Sequence, residues 1–156
     1  MSSTAEAYDK PLPVPDPDSA PFWEGCRSNR LLIQRCTACG HAQFPPSSVC
    51  TCCSSPDIAW AQASGSGTVF SWIVVRHPVP KPVYAAEVPY VVALIELVEG
   101  VRMPSNVIDC PPEDVRAAMP VEVTFRRVTD DIVLPLFRPV GRVSRDADLA
   151  IDGTLP

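Results

Sequence analysis

Four cysteines fix what the first half of this chain can become. Cys36-Thr37-Ala38-Cys39 and Cys50-Thr51-Cys52-Cys53 each set two cysteines three positions apart, and ten residues separate Cys39 from Cys50. A tight turn between paired cysteines aims two sulfurs at one point, and a short excursion brings the second pair opposite. Both hooks can therefore close on one tetrahedral ion. Gly40, directly after Cys39, suits a backbone that must turn with positive φ. Ser54 occupies the matching place in the second hook and is a weaker fit. We read Cys36, Cys39, Cys50 and Cys53 as ligands of a structural zinc. A closed four-thiolate shell leaves no position for a substrate, so it holds structure and does no hydrolysis. Iron in an electron-transfer role could use the same ligands, but one small redox site does not require the β-rich stretch behind it. Cys52 stays outside the set, because ligation by adjacent Cys52 and Cys53 would lose the knuckle turn.

The rest of the cysteine usage agrees. Seven cysteines is an odd number and four fall into metal spacing, which argues against a disulfide framework and leaves Cys26, Cys52 and Cys110 over. Met1 to Ala7 has no basic segment followed by an apolar core, so a reducing cytoplasmic setting is expected. No apolar run approaches the roughly 18 residues that cross a bilayer, so no membrane partner is expected. A net charge of −5 repels phosphate backbones. That matters because zinc ribbons and small β-barrels are both common nucleic-acid modules. A nucleic-acid-binding ribbon and barrel is the alternative of another class, and the charge counts against it.

Along the chain, residues 1–18 alternate Pro11, Pro13, Pro15 and Pro17 and read as a flexible, extended arm, mobile or draped over a partner. A capping residue and an early proline at Ser19 to Pro21, with Phe22, Trp23 and Cys26 at helical spacing, predict a helix within 19–30. Residues 31–62 form the ribbon: a strand at Leu31–Arg35, its return at His41–Phe44, and a stop at Pro45-Pro46. Residues 63–141 carry the strands of the second module. Thr68–Val75 is too apolar for a solvated edge, Tyr90–Val98 and Val101–Ile108 follow, and Val121–Phe125 and Ile132–Phe137 close the series. Pro135 implies an edge or bulge in the last. Prolines at 78, 80, 82 and 89 predict a long, stiffened loop, and Pro111–Arg116 a single helical turn. The fold class is mainly β, a helical segment and zinc ribbon followed by a five-stranded OB-fold barrel. Residues 142–156 read as a tail.

Catalytic equipment is sparse. Neither His41 nor His77 stands in a pattern that activates a serine or cysteine nucleophile, and no phosphate-binding or paired-carboxylate signature appears. No catalytic residue is assigned, and the metal module is expected to unfold without its ion while much of the barrel stays folded. Arg76 and His77, at the mouth of the proline-rich loop, are binding candidates. Phe22, Trp23, Tyr84 and Tyr90 are candidates for contact with a partner or an acyl-CoA, with ordinary packing as the competing account. Arg76, Lys81, Arg102, Arg126 and Arg127 could meet the phosphates of such a ligand, although scattered basic residues are usually solvated surface.

An ordered series carries a resemblance. Pro21-Phe22-Trp23, Leu31 to Cys36, Cys39-Gly40, Phe44-Pro45-Pro46, Cys50 with Cys53, Gly65 to Val69, Ser71-Trp72, Pro89 to Ala93 and Glu99 to Arg102 resemble domain-of-unknown-function family thirty-five. Thr51 and Ser54 depart from it, where the family usually has proline and glycine. The resemblance covers roughly residues 20–140. It implies a helical segment, a rubredoxin-like zinc ribbon and a C-terminal OB-fold, and an association with acyl-CoA metabolism. It further implies a small non-catalytic subunit in a hetero-oligomer with a thiolase-like protein, with a CoA thioester at or near the interface. The favoured reaction is retro-aldol carbon–carbon cleavage of a CoA thioester of the steroid side-chain type. An acyltransferase or thiolase subunit and a stand-alone acyl-CoA binder are the alternatives. On this reading the arm, the Phe22-Trp23 helix and the loop from Pro78 to Pro89 form the interface, since stiff loops lose little entropy on docking.

Overall fold

A computed structural model describes residues 8–141; the tail expected at 142–156 and the first part of the arm lie outside them. Helix α1 (Ala20–Arg27) starts with Pro21 in its first turn. Ser19 turns its side chain back to Asp16 instead of capping the helix: the Ser19 hydroxyl and N–H both donate to Asp16 Oδ1, at 2.6 and 2.7 Å. These bonds hold the exposed Asp16 carboxyl below its usual pKa. The helix ends at Arg27 and Asn29 takes φ 55°, a left-handed residue that sends the chain into the first strand. Gly25 is required where α1 crosses that strand, because a Cβ there would meet Leu32 Cγ at 2.7 Å.

Strands β1 (Leu32–Cys36), β2 (Ala42–Gln43) and β3 (Ile58–Gln62) form an antiparallel sheet in the order β2-β1-β3. β3 then feeds the barrel, made of β4 (Ser66–Val75), β5 (Tyr90–Leu97), β6 (Arg102–Val107), β7 (Pro120–Arg127) and β8 (Val133–Pro139). Its closed order is β4-β5-β6-β8-β7, with only the β6–β8 contact parallel. A 3-10 turn at Pro112–Asp114 stands between β6 and β7. Five strands with a short helical turn after the third give the OB-fold. Strict alternation in β5 puts Val91, Ala93, Ile95 and Leu97 inside. Gly67 lets β4 cross tightly over β5: a Cβ there would lie 2.5 Å from the Glu96 carbonyl.

Besides the missing Ser19 cap, three further expectations change. The proline-rich loop is not wholly irregular, since a turn of helix, α2 (Lys81–Tyr84), forms inside it. Thr68–Val75 was expected to avoid a solvated edge, yet Phe70 and Ile73 are 46 and 63% exposed. β7 pairs with β4 only over Ser66–Thr68, and a bulge between Val69 and Ser71 offsets the strand, leaving its second half paired on one side. The Arg102 guanidinium covers Phe70, 3.6 Å from the ring centroid. Finally, the ribbon is not a separate body. Phe22 and Cys26 of α1, Leu31 and Ile33 of the ribbon, and Ile95, Met103 and Phe137 of the barrel belong to one buried cluster.

Candidate metal centre and ligand face

The two hooks fold alike. In the first, Gly40 N–H donates to the Cys36 carbonyl and Cys36 N–H to the His41 carbonyl, both at 2.9 Å. In the second, Ser54 N–H donates to the Cys50 carbonyl at 2.9 Å and Cys50 N–H to the Ser55 carbonyl at 2.8 Å. Gly40 has φ 77° and Ser54 φ 60°, so the serine accepts the left-handed conformation that suits glycine. The weaker fit at Ser54 is a matter of strain, not of geometry.

The four sulfurs of Cys36, Cys39, Cys50 and Cys53 all lie within 4.8 Å of one another. Cys36–Cys53 and Cys39–Cys50 are each 3.7 Å apart. A tetrahedron with Zn–S of about 2.3 Å has edges of about 3.8 Å, so the donor set fits zinc. Cys50 is pulled down to about 6, first by the Cys53 backbone N–H and then by that of Cys52, against the burial that pushes it up. Cys39 goes the other way, to about 12: the His41 N–H pulls it down, but the Cys53 sulfur, burial and the sulfurs of Cys50 and Cys36 outweigh it. Four packed thiols cannot all ionise unaided, and a divalent cation supplies the missing charge. The zinc is structural, the metal of a rubredoxin-like ribbon. Cys52 is exposed and outside the cluster.

Two residues that sequence reasoning passed over support the centre from behind. Gln34 and Gln43 are each 4% exposed. Gln43 Nε2 donates to Gln34 Oε1 at 2.8 Å and to the Val49 carbonyl at 3.1 Å, while Gln43 Oε1 accepts from Thr51 N–H at 2.9 Å. Gln34 Oε1 also accepts from Ser47 N–H at 2.9 Å. The pair thus holds the segment that carries the second hook against β1. A polar residue facing inward in each of two paired strands was the available signal, visible only once their register placed Gln34 opposite Gln43.

The remaining candidates divide. Phe22 is 4% exposed and packs on Phe44 with ring centroids 5.3 Å apart, so it is a core residue with no surface to offer. Trp23 is half-buried, edge-on to Phe22 at 5.0 Å. Arg76 and His77 are exposed. Of the other basic residues, Arg102 is paired with Glu96 at 3.1 Å and Arg127 donates to the Asp130 carbonyl at 2.9 Å.

Tyr84 and Tyr90 come together, stacked at 6.0 Å. They border a cavity of about 540 Å³ over β5, β6, β7 and β8, with Val92, Asn106, Arg126 and Leu134. It lies between the β4–β5 and β7–β8 loops, where OB-folds bind their ligands. The arm does not hang free there: Tyr8, Lys10 and Pro11 form part of the wall, and Lys10 pairs with Glu87. No described helix is long and apolar enough to cross a membrane.

Comparison with known proteins agrees with this architecture. Residues 23–59 match the rubredoxin-like zinc ribbon domain of ChsH2, and residues 60–126 its C-terminal OB-fold domain. A probable enoyl-CoA hydratase alpha subunit of Thermomonospora curvata is 40% identical over 83% of the chain, and a 3-oxo-4,17-pregnadiene-20-carboxyl-CoA hydratase alpha subunit of Mycobacterium tuberculosis 42% over 69%. The chain spans only 40 and 33% of the length of those two relatives. A solved structure of an Ltp2-ChsH2(DUF35) aldolase matches with a TM-score of 0.74 and 41% identity, over 82% of this chain and 98% of that one. A DUF35 domain-containing scaffold protein of Methanocaldococcus jannaschii is 39% identical over 70% of this chain and 77% of its own length. On this likeness, and on the ribbon and barrel that carry it, the chain belongs to the DUF35 family.

Proposed function

We propose that this chain is a non-catalytic subunit that docks on a thiolase-like protein and helps to wall its acyl-CoA channel. The complex would cleave a carbon–carbon bond of a CoA thioester by retro-aldol chemistry, with a steroid side chain as the acyl group. One observation carries the reading: the chain aligns with 98% of a chain in the solved structure of an Ltp2-ChsH2(DUF35) aldolase, at 41% identity. The site chemistry agrees. The described residues offer a closed four-thiolate cluster, which has no open position for a substrate, and two histidines that are both exposed. The M. tuberculosis relative is named for a steroid-derived CoA thioester, which supports the acyl group. Its hydratase activity is left with that relative, because the chain corresponds to a minority of its length.

Retro-aldol cleavage needs a β-hydroxyacyl thioester. A base takes the hydroxyl proton, the Cα–Cβ bond breaks to leave a ketone or aldehyde, and the thioester enolate takes a proton at Cα. The partner would supply both proton transfers. Co-expression with Ltp2 is the test. The pair should co-elute and release a carbonyl product and a shortened CoA thioester from a β-hydroxyacyl-CoA, and either chain alone should be inactive. Turnover by the isolated chain, or failure to co-elute with Ltp2, would overturn this reading.

A further inference from the structure

The arm lies on the face of the barrel where ligands of this fold sit, and its contacts report what that face accepts. The Lys10 ammonium pairs with Glu87 and lies 5.3 Å from the Tyr8 ring centroid and 5.9 Å from that of Tyr84. Tyr84 stacks on Tyr90 behind it. A carboxylate beside an aromatic face suits one kind of group, an ammonium or guanidinium. Here the chain fills that place with its own lysine, whose side chain is 22% exposed. The hold is slight. Leu12 and Val14, just beyond, are 40 and 88% exposed, and surface ion pairs and cation–π contacts are individually weak.

We propose that Glu87, Tyr84 and Tyr90 form a socket for a lysine or arginine carried on an extended segment of the partner, and that Lys10 is an internal stand-in which the partner displaces. The inference rests on the function proposed above and names the contact through which docking occurs. The extended, proline-rich arm is the template for the incoming segment, since PPII chains fit such faces with little entropy left to lose. The acidic balance of the chain, −5 overall, favours a basic segment. While Lys10 occupies the socket only the open fraction can dock, so apparent affinity falls in proportion to that fraction.

The stand-in and the socket predict opposite effects in the single variants, as net charge alone also would. The charge-neutral double exchange separates the two: a return to the parent affinity would overturn the socket. With Ltp2 as the probe and the full chain in the calorimeter, Lys10→Glu should tighten binding roughly three- to tenfold by emptying the socket. Glu87→Lys should weaken it by roughly tenfold or more, the size of a lost charge pair at an interface. The double exchange, Lys10→Glu with Glu87→Lys, re-forms the latch with reversed sign and should stay weak. Amide exchange in the free chain reads the latch without the partner: Val83 to Tyr90 should exchange faster in both single variants and return to the parent rate in the double. Two single variants that shift affinity in the same direction, or not at all, would overturn the socket. Unchanged amide exchange in the single variants would overturn the latch. Absence of any binding to Ltp2 would overturn the docking function and the socket with it, while amide exchange still decides separately whether Lys10 is held.

Discussion

At the scale of single residues, the ribbon is limited by two positions of opposite character. Ser54 holds φ 60° at the place where the first hook has Gly40. A left-handed conformation costs a non-glycine residue roughly 1–2 kcal/mol, so Ser54→Gly should stabilise the ribbon by about 1 kcal/mol. A higher chelator concentration for half-loss of zinc would show it; a lower one would mean that the serine hydroxyl matters. Gln43→Leu should act the other way. It removes the acceptor of the Thr51 N–H and the donor to the Val49 carbonyl, and leaves buried Gln34 with only the Ser47 N–H. The cost is about 1–3 kcal/mol, and the thermal midpoint should fall while the four cysteines remain. The cysteines were legible because their chemistry is written in local spacing. Gln34 and Gln43 were not, because what they satisfy lies on other strands.

The left-over cysteines separate at this scale as well. Cys26 is fully buried and burial pushes its thiol up to about 12. A raised pKa means that the native state keeps the proton. The stability tied to that site is therefore complete below the unfolded thiol value of about 8.5 and declines as pH climbs toward 12. Alkylation of the zinc-loaded protein from pH 7 to 9 should modify exposed Cys52 and spare Cys26. Equal modification of both would show that α1 opens readily.

At the scale of elements, β4 decides the shape of the barrel. It pairs with β5 along most of its length but with β7 over three residues, and Gly67 stands where the Glu96 carbonyl comes closest. Gly67→Ala should force the strands apart and cost about 1–3 kcal/mol, the usual range for overpacking, visible as faster amide exchange across β5. An unchanged melting temperature would show that β4 can slide. The order and nature of the strands could be read from alternation and turn residues. The exposure of Phe70 and Ile73 could not, because it follows from where β7 stops, a long-range fact. The position of the arm was hidden for the same reason: nothing local in residues 8–11 says that Glu87 is their partner.

At the scale of the whole molecule, the shared interior revises the expectation that the barrel would outlast the ribbon. Leu31 and Ile33 are anchored by the zinc-bound strands, yet they pack in the cluster that contains Ile95 and Phe137. Zinc binding is folding free energy for a ribbon, on the order of 10 kcal/mol in small zinc peptides. Chelation should therefore lower the melting temperature of the entire chain in one transition. Two resolved transitions, with the barrel melting at its original temperature, would restore the independent-module picture.

The paired sulfurs have one more consequence. Equal 3.7 Å separations of Cys36–Cys53 and Cys39–Cys50 place the two hooks around an approximate dyad. A dication at its centre, held by four thiolates, carries a formal charge of about −2. The sequence total counts those thiols as neutral. Loading the metal thus turns one end of the molecule into a compact anion, so metal content should alter electrophoretic mobility and orient the subunit in the field of whatever surface it approaches.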